Sequence, residues 1–173
     1  DQKAQGYKDL QPFGQIPAYE EDGLNLFESG AILLHVAGKT PVLAPADPAA
    51  YARMTCWMFA GLNSIEPYVQ NLAIIDFFNA DQEWAKLRRP EALAFAERRL
   101  DTLADRLKDR DYLEEGFTAA DLLMTTVLRN SRLMNLLEAR PVLEAYAQRC
   151  EARPAFKRAL ARHLAPFAEN APA

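Results

Sequence analysis

The stretch from Gln11 to Leu33, QPFGQIPAYEEDGLNLFESGAIL, concentrates the residues of this chain whose types and order could do chemistry. Glu28-Ser29 stands at the mouth of a run, Ser29 to Ala37, whose Ile32, Leu33, Val36 and Ala37 recur at helical spacing. A serine at a helix start can accept from a backbone N–H left free in the first turn. Upstream, in Gln15-Ile16-Pro17, a proline interrupts a strand-like run, where it can donate nothing to a ladder. Each feature also has a purely structural meaning. Pro17 can be an edge-strand proline, Ser29 a cap, and Glu28 a solvated acid of the first turn.

Elsewhere the reactive residue types are scattered. Cys56 and Cys150 lie in helical contexts with no CxxC spacing and no nearby histidine. That pattern argues against a disulfide framework or a zinc site and for reduced thiols in the cytoplasm; no metal is expected. His35 reads as a helix-surface or packing residue, and nothing marks Tyr7, Ser64 or Cys56 as a nucleophile. Trp57, Phe59, Tyr68 and Trp84 fit a core as well as a ligand pocket.

Several elements must position these groups. Residues Gln2 to Leu10 fit the tail of a helix ended near Gly6 and Gln11-Pro12. Short strands are expected at Ile16–Tyr19 and Leu24–Phe27 around Glu21-Asp22-Gly23, where Asp-Gly supplies a hairpin turn. Gly38 closes the next helix, and three prolines in Lys39–Pro48 exclude both helix and sheet interior there. Asp47-Pro48 is a helix-start signal. Met54, Met58, Leu62, Ile65, Val69 and Leu72 then recur every three or four residues, with a kink expected at Pro67. A further helix is expected from near Pro90, burying Leu93, Ala96, Leu100, Leu103 and Leu107, and another from Thr118 through Leu128. Pro141 and Pro154 open two short helices before a polar tail. Thr118-Ala119-Ala120-Asp121 has capping-box spacing, with Phe117 placed to staple onto Leu122.

Composition narrows the class. A 173-residue chain that is half hydrophobic and a quarter charged is typical of a globular protein. A net charge of −4, with Arg and Lys interleaved among Glu and Asp, argues against nucleic-acid binding. No apolar run approaches the roughly 20 residues of a membrane span, and no signal peptide is visible.

The order of these motifs resembles the glutathione transferase family over nearly the whole chain. A strand ending in Gln-Ile-Pro, a hairpin and Glu-Ser opening a helix match the second half of that family's thioredoxin-like domain. The proline-rich linker, the helical remainder and Gly116-Phe117-Thr118-Ala119-Ala120-Asp121 match its C-terminal domain and helix-capping motif. The resemblance implies an α/β plus all-α fold: a partial thioredoxin-like segment over 1–38, a linker over 39–47 and a helical bundle over 48–173. Gln11 stands where Asn is common before the Pro-x-Gly turn, and His35 where Tyr is common in the helix. The family's first strand, helix and strand, which carry the hydroxyl or thiol facing the glutathione sulfur, have no counterpart after Asp1, so the resemblance names no catalytic residue here.

By the same resemblance, glutathione is the co-substrate and Gln15, Ile16, Pro17, Glu28 and Ser29 its binding residues. Pro17 matches a cis proline that turns the N–H and C=O of Ile16 outward, toward the cysteinyl backbone of an extended tripeptide. Ser29 presents its hydroxyl and amide to the γ-glutamyl carboxylate at a helix N-terminus, where the peptide dipoles favour an anion. Glu28 holds the neighbouring ammonium. The implied activity is conjugation of the thiolate to a small hydrophobic electrophile by a cytoplasmic homodimer. Were Asp1 the true start, a catalytically inactive binding or scaffold module is the alternative.

Overall fold

The computed structural model describes residues 2–169; Asn170 to Ala173, the end of the expected polar tail, lie outside the described residues. A single helical turn, α1 (Gln5–Lys8), leads through a loop into an antiparallel hairpin, β1 (Ala18–Glu21) and β2 (Leu24–Phe27). Its register runs from Ala18 opposite Phe27 to Glu21 opposite Leu24. Asp22 (φ 48°) and Gly23 (φ 82°) are both left-handed, the two-residue turn whose twist suits paired strands. The first strand begins at Ala18 rather than at Ile16, because Pro17 has no N–H to give a ladder. Ile16 and Pro17 are thereby left outside the sheet.

Helix α2 (Ser29–Ala37) folds back on the hairpin. His35 Nε2 lies 3.0 Å from Glu21 Oε2, Lys39 pairs with the same carboxylate oxygen, and the Tyr19 ring meets His35 edge-on at 5.7 Å. His35 therefore ties α2 to the hairpin.

The helical remainder starts with α3 (Pro48–Phe59), where Asp47 Oδ2 accepts from Ala50 N at 2.7 Å. A π-helical turn, Ala60–Ile65, joins α3 to α4 (Glu66–Ala73), and a second, Ile74–Phe78, ends it. The expected kink takes this form because Pro67 cannot donate to a carbonyl one turn back and its ring needs room there. Met54, Met58, Ile65, Val69 and Leu72 are buried along this rod, whereas Leu62 is only half-buried.

Helix α5 (Glu83–Leu107) begins well before Pro90 and runs through it. From residue 83 to 91 only Ala85 is buried, so water can serve the carbonyl that Pro90 leaves without a donor. The helix then buries Ala92, Ala96, Leu100, Leu103 and Leu107, while Leu93 is half-buried.

Helix α6 (Ala119–Leu133) is the centre of the bundle and opens with a capping box between Thr118 and Asp121. Asp121 is fully buried. Its Oδ2 accepts from Thr118 N at 2.8 Å and from the Thr118 hydroxyl at 3.1 Å. Its Oδ1 accepts from Leu113 N at 2.9 Å and from the Tyr146 hydroxyl at 2.8 Å. α7 (Pro141–Glu151) and α8 (Pro154–Glu169) follow. Gly61 lets α6 approach the π turn closely: a β-carbon there would stand 2.6 Å from Leu123 Cδ2. Cys56 is exposed and Cys150 buried, both free. Among the described residues no helix is long and apolar enough to cross a membrane.

Candidate functional site

Between the hairpin–α2 unit and the α3–α4 rod lies a cleft of about 810 Å³. Gln15, Ile16, Pro17, Glu28 and Ser29 all line it, together with Gly30, Ala31 and Leu34 of α2. Met58, Phe59, Leu62, Asn63, Glu66 and Gln70 line it from the rod.

The loop before β1 is locked by two side chains. Gln11 is 2% exposed, and its Oε1 accepts from Phe13 N at 2.8 Å and from Gln15 N at 3.2 Å. The Tyr7 hydroxyl donates to the Gln15 carbonyl at 2.5 Å. Both main-chain groups of residue 15 are thus engaged. Those of Ile16 are not: neither its N–H nor its C=O meets a hydrogen-bond partner among the described residues. The Ile16–Pro17 peptide bond is cis.

Across from this edge, the start of α2 differs by one residue from expectation. Glu28 occupies the N-cap position and Ser29 is the first helical residue. No side chain caps the helix, so the N–H and hydroxyl of Ser29 have no partner among the described residues. These are orphan donors of a helix start, directed by the peptide dipoles toward negative charge. Glu28 has φ 67° and ψ 118°, a posture that L residues rarely adopt and that clusters at functional sites. Gly30 allows the tip of α2 to touch the rod, since a β-carbon there would lie 2.7 Å from Leu62 Cδ1.

Asn63, Glu66 and Gln70 escaped sequence reasoning. Their spacing of three and four places them on one helical stripe, but the apolar pattern from Met54 to Leu72 masks that signal. None of the three side chains has a hydrogen-bond partner among the described residues. Burial pushes the Glu66 carboxyl up from the ordinary glutamate range. Among the described residues, the only ionisable ones lining the cleft are the two acids Glu28 and Glu66.

Phe117, Thr118 and Asp121 are not brought to this cleft. Phe117 and Thr118 line a separate cavity of about 200 Å³ beside Pro41, Pro45 and Arg53. The Arg153 guanidinium stacks 3.7 Å from the Phe117 ring centre. Of the aromatic residues left open above, Phe59 alone lines the cleft. Trp57 lies under Arg106, Tyr68 packs against Phe95, and Trp84 is exposed.

Comparison with known proteins matches this geometry to one family. Residues 1–38 match the family model described as the glutathione S-transferase N-terminal domain. A glutathione S-transferase of Hyoscyamus muticus is 31% identical, over 92% of this chain and 80% of that protein. A glutathione transferase of Burkholderia graminis, solved with two glutathione molecules per subunit, superposes with a TM-score of 0.82 at 29% identity, over 91% of this chain and 71% of that one. One from Pseudomonas putida, solved with one glutathione disulfide per subunit, gives a TM-score of 0.79 at 26% identity, over 91% and 74%. The chain belongs to the glutathione S-transferase family. Its α1, hairpin and α2 are part of that family's thioredoxin-like fold, and α3 to α8 form the helical bundle.

Proposed function

We infer that this chain is a glutathione transferase whose cleft holds glutathione along the Ile16 edge and the Ser29 helix tip. The cysteinyl backbone pairs with the N–H and C=O of Ile16 as a short added strand. The γ-glutamyl carboxylate accepts from the Ser29 amide and hydroxyl, and Glu28 pairs with the adjacent ammonium. Gln15 and Pro17 flank that edge. The glutathione thiol gives its proton to water, and the thiolate bonds to a carbon of the electrophile while a leaving group departs from that carbon with the electron pair of its broken bond; the electrophile's apolar body lies against Met58, Phe59 and Leu62.

One observation carries this reading: the unpartnered main chain of Ile16 and the unpartnered donors of Ser29 line a single cleft. Glutathione bound to the Burkholderia relative and glutathione disulfide bound to the Pseudomonas putida one support it. The division into a glutathione-binding unit over 1–38, a linker over 39–47 and a helical unit over 48–173 belongs to the same proposal, as do cytoplasmic residence and a homodimer. An exposed aromatic pair, Phe13 and Phe27 with ring centres 6.1 Å apart, offers a surface for association. Sedimentation as a monomer at micromolar concentration overturns the dimer.

Calorimetry of glutathione binding tests the cradle. Ser29→Ala removes a hydrogen bond to a charged group, about 1.5–3 kcal/mol, so affinity drops ten- to a hundredfold while the melting temperature holds. Equal affinity in the variant refutes the role given to Ser29.

A further inference from the structure

We propose that Glu66 is a catalytic acid for conjugate addition, with which this protein adds glutathione to α,β-unsaturated carbonyl compounds that carry an apolar tail. The proposal rests on glutathione lying in the Ile16–Ser29 cradle, and it goes beyond substitution because no group leaves.

Three cavities meet at one side chain. The cleft of about 810 Å³ holds the cradle. A second cavity, of about 240 Å³, lies between α2 and α6 and includes Pro17 and Ser29 beside Leu33 and Leu122. A third, of about 230 Å³, lies between α4 and α6, with Val69, Phe77, Val127 and Met134 on its walls. Among the described residues Glu66 alone lines all three. It is half-buried at the first position of α4. The second cavity connects it to Pro17 and Ser29, whereas the third shares no residue with the cradle. That layout sorts one kind of substrate. Its reacting carbon faces the cradle, its carbonyl meets Glu66, and its tail enters the third cavity.

The surroundings of Glu66 suit a proton donor. Among the described residues, the only other ionisable side chain on any of the three cavities is Glu28 at the start of α2; α6 and the π turns contribute none. No cation on these walls holds the carboxyl ionised, and burial raises it from the ordinary glutamate range. An apolar tail that expels water from beside it acts in the same direction. An acid moved toward the working pH is a better catalyst than an ordinary carboxyl.

Addition needs such a donor and substitution does not. The cradle thiol gives its proton to water, and the thiolate sulfur bonds to the β-carbon of the acceptor. The carbon–carbon π bond breaks, and the electron pair is carried to the carbonyl oxygen as an enolate. Glu66 gives its proton to that oxygen. The enol then gains a proton at the α-carbon and loses the one on oxygen, and the Glu66 carboxylate recovers a proton from water. The hydrogen lost from sulfur is thus replaced on carbon, with no oxidant or reductant. In substitution the electron pair departs with the leaving group, which takes no proton from the wall.

Steady-state kinetics on two substrates tests the assignment. A positioned acid supplies about 10²–10⁴-fold. In Glu66→Gln, the ratio of kcat for addition to 3-nonen-2-one over kcat for substitution on chlorodinitrobenzene should therefore fall about a hundredfold or more. In the parent, kcat for addition should decline as pH rises past the Glu66 value, and Glu66→Gln should lack that decline. Glu66→Asp, an acid one methylene shorter, should restore it. Circular dichroism and calorimetry with glutathione establish that each variant is folded and loaded. An unchanged ratio in Glu66→Gln, or the same decline with pH, overturns the role of Glu66. A parent that substitutes but does not add overturns the activity. A parent that binds glutathione and turns over neither substrate overturns the transferase reading together with this proposal. One that binds no glutathione overturns the cradle, a failure that the Ser29→Ala titration registers separately.

Discussion

Gly30 and Leu62 meet at a separation that leaves no room for a side chain on the glycine, with 2.7 Å from a β-carbon position to Leu62 Cδ1. This contact sets how near the Ser29 tip comes to the α3–α4 rod. Gly30→Ala gains roughly 0.8–1 kcal/mol of helix propensity, but overpacking costs about 1–3 kcal/mol. Packing wins: the variant should be less stable and bind glutathione more weakly. Removing the obstructing methyl groups in Gly30→Ala/Leu62→Ala should recover part of both losses. Urea unfolding and calorimetry measure them, and unchanged affinity in the single variant would detach this contact from the cleft.

Tyr7 serves the site from a distance. Its hydroxyl is the only group holding the Gln15 carbonyl among the described residues. Tyr7→Phe deletes one hydrogen bond, about 0.5–1.5 kcal/mol, and loosens the edge next to Ile16. Glutathione affinity should fall about three- to tenfold, with a smaller change in global stability because the bond is exposed. A loss of stability with no loss of affinity would make Tyr7 merely structural.

Asp121 and Tyr146 test what holds the bundle. Burial, and then the Asp121 charge, raise the Tyr146 phenol well above its ordinary value, so it stays a proton donor. Tyr146→Phe removes a hydrogen bond to a charged group and should cost about 1.5–3 kcal/mol. Asp121→Ala strands three backbone and hydroxyl donors besides, and should cost more. The urea midpoint should fall in both, with an unchanged slope if unfolding remains two-state.

Glu66 gives a pH signature. Because burial raises its carboxyl, the folded chain keeps that proton to higher pH than the unfolded chain does. The associated stability is fully present below the unfolded value, about pH 4, and is lost as pH rises through the folded value. Glu66→Gln removes the titration while keeping the shape. Its melting temperature should exceed the parent's at about pH 7.5 and converge with it near pH 4. Glu28, the other acid on the cleft, remains in both proteins. A difference independent of pH would show that Glu66 is not the titrating group.

Local chemistry was the legible part of the sequence. Asp22-Gly23 names its turn, Asp47-Pro48 its helix start, and Thr118 with Asp121 its cap, because each depends on residues within a few positions. What was hidden depends on neighbours distant in sequence or on solvent. Pro90 reads as a helix start, yet the helix runs through it because that segment is hydrated. Pro67 announces the break in the rod, but the close seat of the π turn against α6 at Gly61 depends on a residue far along the chain, which no periodicity announces. Ser29 and Glu28 were visible as types, but their one-residue shift around the helix start is a matter of backbone angles. Asn63, Glu66 and Gln70 became a wall only when α2 was placed opposite them.

The backbone of Glu28 carries a further consequence. Glycine would rest easily at φ 67°, whereas a side chain there is held against its own preference. The fold thus forgoes some resilience so that one acid can stand guard at a doorway. Glu28→Gly should therefore yield a sturdier protein that has lost its grip on the peptide's amino end.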